Sequence, residues 1–148
     1  MRAIVIGYGS IGKNRASILQ ELGVSIRPVD IDEIDKIDDI LRDEHFDFGL
    51  VCTPSNLHLE HSLKLAKNEI DFYCEKPFFT SQIKLNSGHY VENTKLLDEL
   101  EKVVENNHLI NMVACNWRFS DRIKQIPKET KFIKVRFGYN LAQWRNDG

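Results

Sequence analysis

The chain has 148 residues, of which 42% are hydrophobic and 28% charged, and its formal net charge is −2. That balance suits a globular domain with one core and excludes a global electrostatic footprint for nucleic acid or an anionic membrane. No apolar run reaches the length of a membrane span, and the N-terminus opens on a core strand instead of a signal peptide, which reads as a cytoplasmic protein.

The first thirty residues organise the rest. Arg2 to Ile6 is a short apolar run that suits a buried strand, and it breaks into Gly7-Tyr8-Gly9-Ser10-Ile11-Gly12. Ile11, Arg15, Ile18, Leu19 and Leu22 then recur at helical spacing, which predicts an amphipathic helix with these residues near one face. Gly23 stands where a helix C-terminus favours a left-handed residue, and a second apolar run, Val24 to Val29, ends in Asp30. In this order of strand, glycine turn, helix, strand and acid, each glycine has a task. Gly7 permits the turn, Gly9 lets a pyrophosphate approach the backbone, and Gly12 lets the helix pack closely on the sheet. The amides of the first helical turn, at Ser10 and Ile11, face the phosphates. Asp30, eighteen residues after Gly12, is spaced to accept the ribose hydroxyls of a dinucleotide. Gly7 to Lys13 also fits the GxxxxGK opening of a nucleoside triphosphate loop. That motif needs Ser or Thr next to hold magnesium, and this chain has Asn14; Gly9 and Asp30 have no place in it.

From Asp30 to Asp47 there are nine acids against Lys36 and Arg42. Ile34, Ile37, Ile40 and Leu41 mark a helix over 33–43 with a solvated acidic face. A 2′-phosphate beside Asp30 and Asp32 would meet no arginine directly after them, so NAD is favoured over NADP. Phe48 to Cys52 reads as the third strand. Thr53-Pro54-Ser55-Asn56 is a turn with helix-capping chemistry, and a helix over 57–67 turns Leu59, Leu63 and Ala66 to the sheet. Ile70 to Cys74 is the fourth strand, ending in Glu75-Lys76-Pro77. Strand ends of an open parallel sheet are where ligands bind, and packing alone explains a glutamate and a lysine there poorly.

The run VCTPSNLHLEHSLKLAKNEIDFYCEKPF resembles the signature of the Gfo/Idh/MocA oxidoreductases. It is carried by Thr53, Pro54, His58, Ala66, Glu75, Lys76 and Pro77. Asn116-Trp117-Arg118-Phe119 resembles the family's NxRF element, and Leu141 to Arg145 resembles the segment opening the second domain in several sugar-active members. The resemblance implies a Rossmann fold, an α/β doubly wound parallel sheet. It implies hydride transfer between NAD or NADP and a hydroxyl-bearing carbon of a sugar, nucleotide sugar or polyol. By the same resemblance Glu75 is expected near the nicotinamide ribose and Lys76 at the reacting hydroxyl, as the catalytic cation. A cation beside a developing alkoxide stabilises it, and burial can bring a lysine pKa toward neutrality. The expected cofactor contacts are Gly7, Gly9, Ser10, Ile11, Gly12, Asp30, Thr53, Pro54, Asn56, His58, Glu75, Lys76, Asn116 and Arg118. His58 is read as a helix-start residue near the cofactor; His45, His61, His89 and His108 are read as ordinary.

Phe78 to Thr94 is longer and more polar than the resemblance implies, and reads as a loop or lid. Leu96, Leu97, Leu100, Val103 and Val104 mark a helix through Asn106, and Leu109 to Cys115 the fifth strand. Cys52, Cys74 and Cys115 are widely spaced and fall at or near the ends of apolar runs. They read as buried free thiols, with no zinc spacing and no metal site. The expected division is a dinucleotide-binding domain at 1–118, then at 119–148 a connector and a residual strand, 131–139, from a second domain. The aspartate and histidine that the family carries on a later helix have no counterpart in these 148 residues, so the chain reads as shortened. Two functions stand: an NAD-dependent oxidoreductase in a shortened chain, acting on a small sugar-like molecule, and a stand-alone nucleotide-binding module without turnover. The basic segment 117–145 ends in a strand with open edges, which predicts a homodimer through this tail. It lacks a recognisable nucleic-acid-binding fold.

Overall fold

Five short apolar runs pair into one sheet in which every neighbour is parallel. The strands are β1 (Arg2–Ile6), β2 (Ser25–Val29), β3 (Phe48–Val51), β4 (Asp71–Cys74) and β7 (Asn111–Val113). Their order is β2-β1-β3-β4-β7, with Ile6 in register with Val29 on one side and Val51 on the other. The helices are α1 (Ser10–Glu21), α2 (Ile37–Asp43), α3 (His58–Lys67) and α4 (Thr94–Asn106). This is the doubly wound α/β architecture expected. The computed structural model describes residues 1–79, 82–84, 90–92, 94–115, 119 and 125. The chain divides into two compact units, Met1–Ala114 and Cys115–Gly148. Of the second, only Cys115, Phe119 and Gln125 are described. Asn116, Arg118, the expected strand at 131–139, the segment 141–145 and the tail proposed to pair with a second copy lie outside the described residues, as does His89.

The helices divide between the two faces, and the core divides with them. Ile4, Ile6, Val51, Phe72 and Cys74 face α2, α3 and α4, meeting Ile37, Ile40, Leu59, Leu63, Leu65, Ala66 and Leu100. Each leucine so buried contributes about 1.5–3 kcal/mol. Gly49 makes this close contact possible, because a Cβ there would stand 2.6 Å from a methyl of Leu65. The other face is thinner: Ala3, Val5 and Leu50 pack on Ala16 of α1, with Leu19, Phe48 and Tyr73 at the margin.

Several sequence expectations are corrected here. The face of α1 that meets the sheet holds buried Gly12 and Ala16, with Leu19 partly buried, whereas Ile11, Ile18 and Leu22 are exposed. Small residues let the helix come close, and the larger apolar ones are left outside. The acidic stretch is not merely solvated. Arg27 of β2 pairs with Glu33 and Glu44, and Lys64 of α3 pairs with Asp38. Within 78–94, Phe78 and Phe79 pack on the core. Beyond them β5 (Gln82–Lys84) and β6 (Tyr90–Glu92) form an antiparallel pair, so part of the expected loop is a hairpin. Cys115 is exposed instead of buried, because β7 ends at Val113 and the chain has already left the sheet.

Candidate functional site

The position of the site follows from strand order. With β1 and β3 adjacent, the chain leaves their carboxyl ends toward opposite faces, which opens a crevice between the two exits. A cavity of about 500 Å³ lies there. Its wall brings together Gly7, Gly9, Ser10 and Ile11 after β1, Asp30 after β2, and Thr53 and Pro54 after β3. Seven of the expected contacts therefore share one cavity. Ile31, Ile34, Cys52, Leu57 and His61 complete the wall.

The glycines differ in what they permit. Gly7 sits at φ +90°, where an L side chain is strained, and a Cβ would meet the Thr53 backbone nitrogen at 2.6 Å. The Gly7 amide donates to the Val29 carbonyl at 2.8 Å, tying the turn to β2. A Cβ on Gly12 would stand 2.0 Å from the Gly7 carbonyl oxygen, so Gly12 serves helix packing, inside and away from the cavity wall. At Gly9 nothing lies within 4 Å of a Cβ position, so the missing side chain leaves the cavity open. The first helical bond runs from the Lys13 amide to the Gly9 carbonyl at 2.9 Å. The amides of Ser10, Ile11 and Gly12 therefore have no partner inside the helix. A diphosphate fits this cradle: donors are present, and the space a side chain would fill is free.

Two histidines have roles the sequence did not foresee. His58, the expected cofactor neighbour, is 2% exposed and does not line the cavity. Its Nδ1 lies 2.8 Å from the Pro77 carbonyl oxygen and its Nε2 2.7 Å from the Thr53 carbonyl oxygen. Carbonyls only accept, so each nitrogen bonds when it carries a proton. His61, read as ordinary, is in the wall, 3.1 Å from the Thr53 hydroxyl through Nδ1. Burial lowers its pKa below the usual histidine value, which favours the neutral ring. Helical spacing puts His61 one turn after His58 on the same buried side of α3, so spacing marks both and does not say which one reaches the cavity.

Glu75 and Lys76 stand at the end of β4, outside the cavity wall. Glu75 is buried, and Arg15 of α1 donates to its Oε1 from Nε at 2.9 Å and Nη2 at 2.7 Å. That hydrogen bond, ahead of the opposing effect of burial, raises the Arg15 pKa. Lys76 is exposed and pairs with no described residue. Asn56 is also exposed and off the wall. Burial, reinforced by the Glu75 charge, pushes the Cys52 thiol up to about 12, and burial does the same to Cys74. Neither is a thiolate at neutral pH. Among the described residues no group of three His, Cys, Asp or Glu side chains is placed to hold a metal.

Fold and cavity together define a dinucleotide-binding α/β domain. A family model described as the oxidoreductase family with an NAD-binding Rossmann fold, Gfo/Idh/MocA, matches residues 24–108. The chain belongs to that family. Among curated proteins it is similar to the redox-sensing transcriptional repressor Rex of Clostridium kluyveri, at 31% identity over 67% of this chain and 54% of Rex. Among solved structures it resembles myo-inositol 2-dehydrogenase of Lactobacillus plantarum, at TM-score 0.61 and 19% identity, covering 84% of this chain and 39% of that one. It also resembles an oxidoreductase of Agrobacterium radiobacter solved with NAD+, L-tartaric acid and magnesium, at TM-score 0.62 and 19% identity, covering 84% and 38%. The chain spans about half the length of the curated relatives it matches.

Proposed function

We propose that this chain is the cofactor domain of an oxidoreductase that moves hydride between NAD and a hydroxyl-bearing carbon of a sugar, nucleotide sugar or polyol. The observation that carries the reading is the cavity between the β1 and β3 exits. There the open space at Gly9, Ser10 and Ile11, whose amides have no partner inside the helix, and Asp30 share one wall. In this reading the amides hold the diphosphate and Asp30 accepts the adenosine ribose hydroxyls. When bound, NAD supplies the hydride acceptor. Lys76, whose ammonium pairs with no described residue, would stabilise negative charge developing on the substrate oxygen.

NAD is preferred over NADP for an electrostatic reason. A 2′-phosphate would stand against Asp30. The nearest arginine on β2, Arg27, is already held by Glu33 and Glu44, and its bond to Glu33 raises its pKa. The test is calorimetry with NAD, NADH and NADP on the 148-residue chain. NAD or NADH is expected to bind at least ~10-fold more tightly than NADP, and Asp30→Asn to lose about tenfold for NAD. Equal affinity for NAD and NADP sinks the preference; no binding of any of them sinks the cofactor reading.

A second reading, a nucleotide-responsive module without turnover, is favoured by the likeness to Rex. Binding of NADH at least ~10-fold tighter than NAD, with no turnover on inositols or nucleotide sugars, supports it. Turnover supports the first.

A further inference from the structure

The loop that carries Lys76 is gripped on both sides by residues that do not line the cavity. From α1, the Arg15 guanidinium places two nitrogens on one oxygen of Glu75. From the start of α3, the His58 ring stands between the carbonyl oxygens of Thr53 and Pro77, within 2.8 Å of both. The Glu75 amide adds a bond to the Val51 carbonyl at 2.9 Å. Beyond Pro77, Phe78 and Phe79 lie against the core. Among residues 75–79, Lys76 and Pro77 are exposed, and the Lys76 ammonium has no described partner.

We infer that Arg15 and His58 are positioning residues that set the Glu75-Lys76-Pro77 loop before any nucleotide arrives. The physical argument is one of cost. A buried carboxylate loses hydration, and its guanidinium partner recovers that loss only in good geometry. An apolar contact at position 75 would hold the strand end as firmly. The charged pair supplies direction: it ties one end of the loop to the helix whose first turn forms the cavity's amide cradle. With a proton on each ring nitrogen, His58 ties the other end to Thr53, which belongs to the cavity wall. The Lys76 loop is thus fastened to both of the chain exits that bound the cavity. This rests on the proposed role of Lys76, although the fastening is observable without it.

Amide hydrogen exchange, read by mass spectrometry on the 148-residue chain without ligand, tests the fastening. In Arg15→Gln and in His58→Gln, the peptide covering residues 75–79 is expected to exchange about tenfold faster. Peptides from β1 and β3 should keep their rates, and Arg15→Lys, which retains a cation for Glu75, should restore most of the protection. Unchanged exchange at 75–79, or faster exchange across the whole sheet, overturns the inference. A second measurement uses NADH against ADP, which lacks the nicotinamide half. Arg15→Gln is expected to weaken NADH about tenfold and ADP less than about twofold; equal losses overturn the positioning role. If the wild-type chain binds neither nucleotide while exchange responds as expected, the cofactor reading fails and the fastening stands.

Discussion

The glycine-turn end of the site and the Lys76 end are built differently, although both lie along the carboxyl edge of one sheet. At the first end, backbone does the work. Gly7, Gly9 and Gly12 shape a turn, the first-turn amides of α1 have no partner inside the helix, and the cavity forms without any charged cluster in its wall. At the second end, side chains do the work. A buried acid is held by an arginine, a buried histidine spans two carbonyls, and one lysine is left exposed. Backbone geometry tolerates almost no substitution, because the constraint is steric and covalent. Side-chain geometry tolerates partial replacement, because a pair can be rebuilt with weaker partners. Recognition at the first end should therefore be all-or-none, and chemistry at the second graded.

The largest effect expected is at Gly12. With a Cβ placed 2.0 Å from the Gly7 carbonyl oxygen, Gly12→Ala should cost roughly 3 kcal/mol or more, read as a shift in the urea midpoint. A shift below about 1 kcal/mol would mean that α1 can retreat from β1, and the contrast between the two ends would weaken. Gly9→Ala is next and separates binding from folding. Nothing stands near its Cβ, so stability should stay within about 0.5 kcal/mol while NADH affinity falls at least ~30-fold. Lys76→Ala sharpens the contrast from the other end. Its exposed side chain predicts an unchanged midpoint and NADH affinity within about threefold; a larger loss of affinity would place Lys76 in recognition.

The smallest effect is a pH slope. Burial holds the folded-state pKa of His61 below the ordinary histidine value, so on acidification the unfolded chain takes up this proton first. Its contribution to stability is full above the ordinary value and declines as pH falls through and below it. His61→Gln should flatten the decline between about pH 7.5 and about pH 5.5, measured by urea midpoints. An unchanged slope would mean that His61 is not confined by the cavity wall.

How far the sequence was legible follows the same division. Strand, glycine turn, helix and acid over residues 2–30 could be read because backbone constraints leave marks that few other residue patterns imitate. Alternating strands and helices pointed to a parallel sheet, but the order β2-β1-β3-β4-β7, which sets the place of the cavity, is visible only in the structure. The contact face of α1 was misread because close packing selects Gly12 and Ala16, which hydrophobic periodicity overlooks, while Ile11 and Ile18 look like core and are not. That His61, and not His58, lines the cavity was hidden because both lie on the buried side of α3. Only the positions of Thr53 and Pro77 decide which ring faces the cavity. The Arg15–Glu75 pair was invisible because its partners meet only after three strands have been laid side by side.

That pair also bears on descent. Positions 15 and 75 lie sixty residues apart, yet replacing Arg15 alone strands the buried Glu75 charge, and replacing Glu75 alone takes the partner from a half-buried guanidinium. Lineages should therefore change the two together or leave both alone, and a crossover joining one homologue's first helix to another's fourth strand would inherit a mismatched couple.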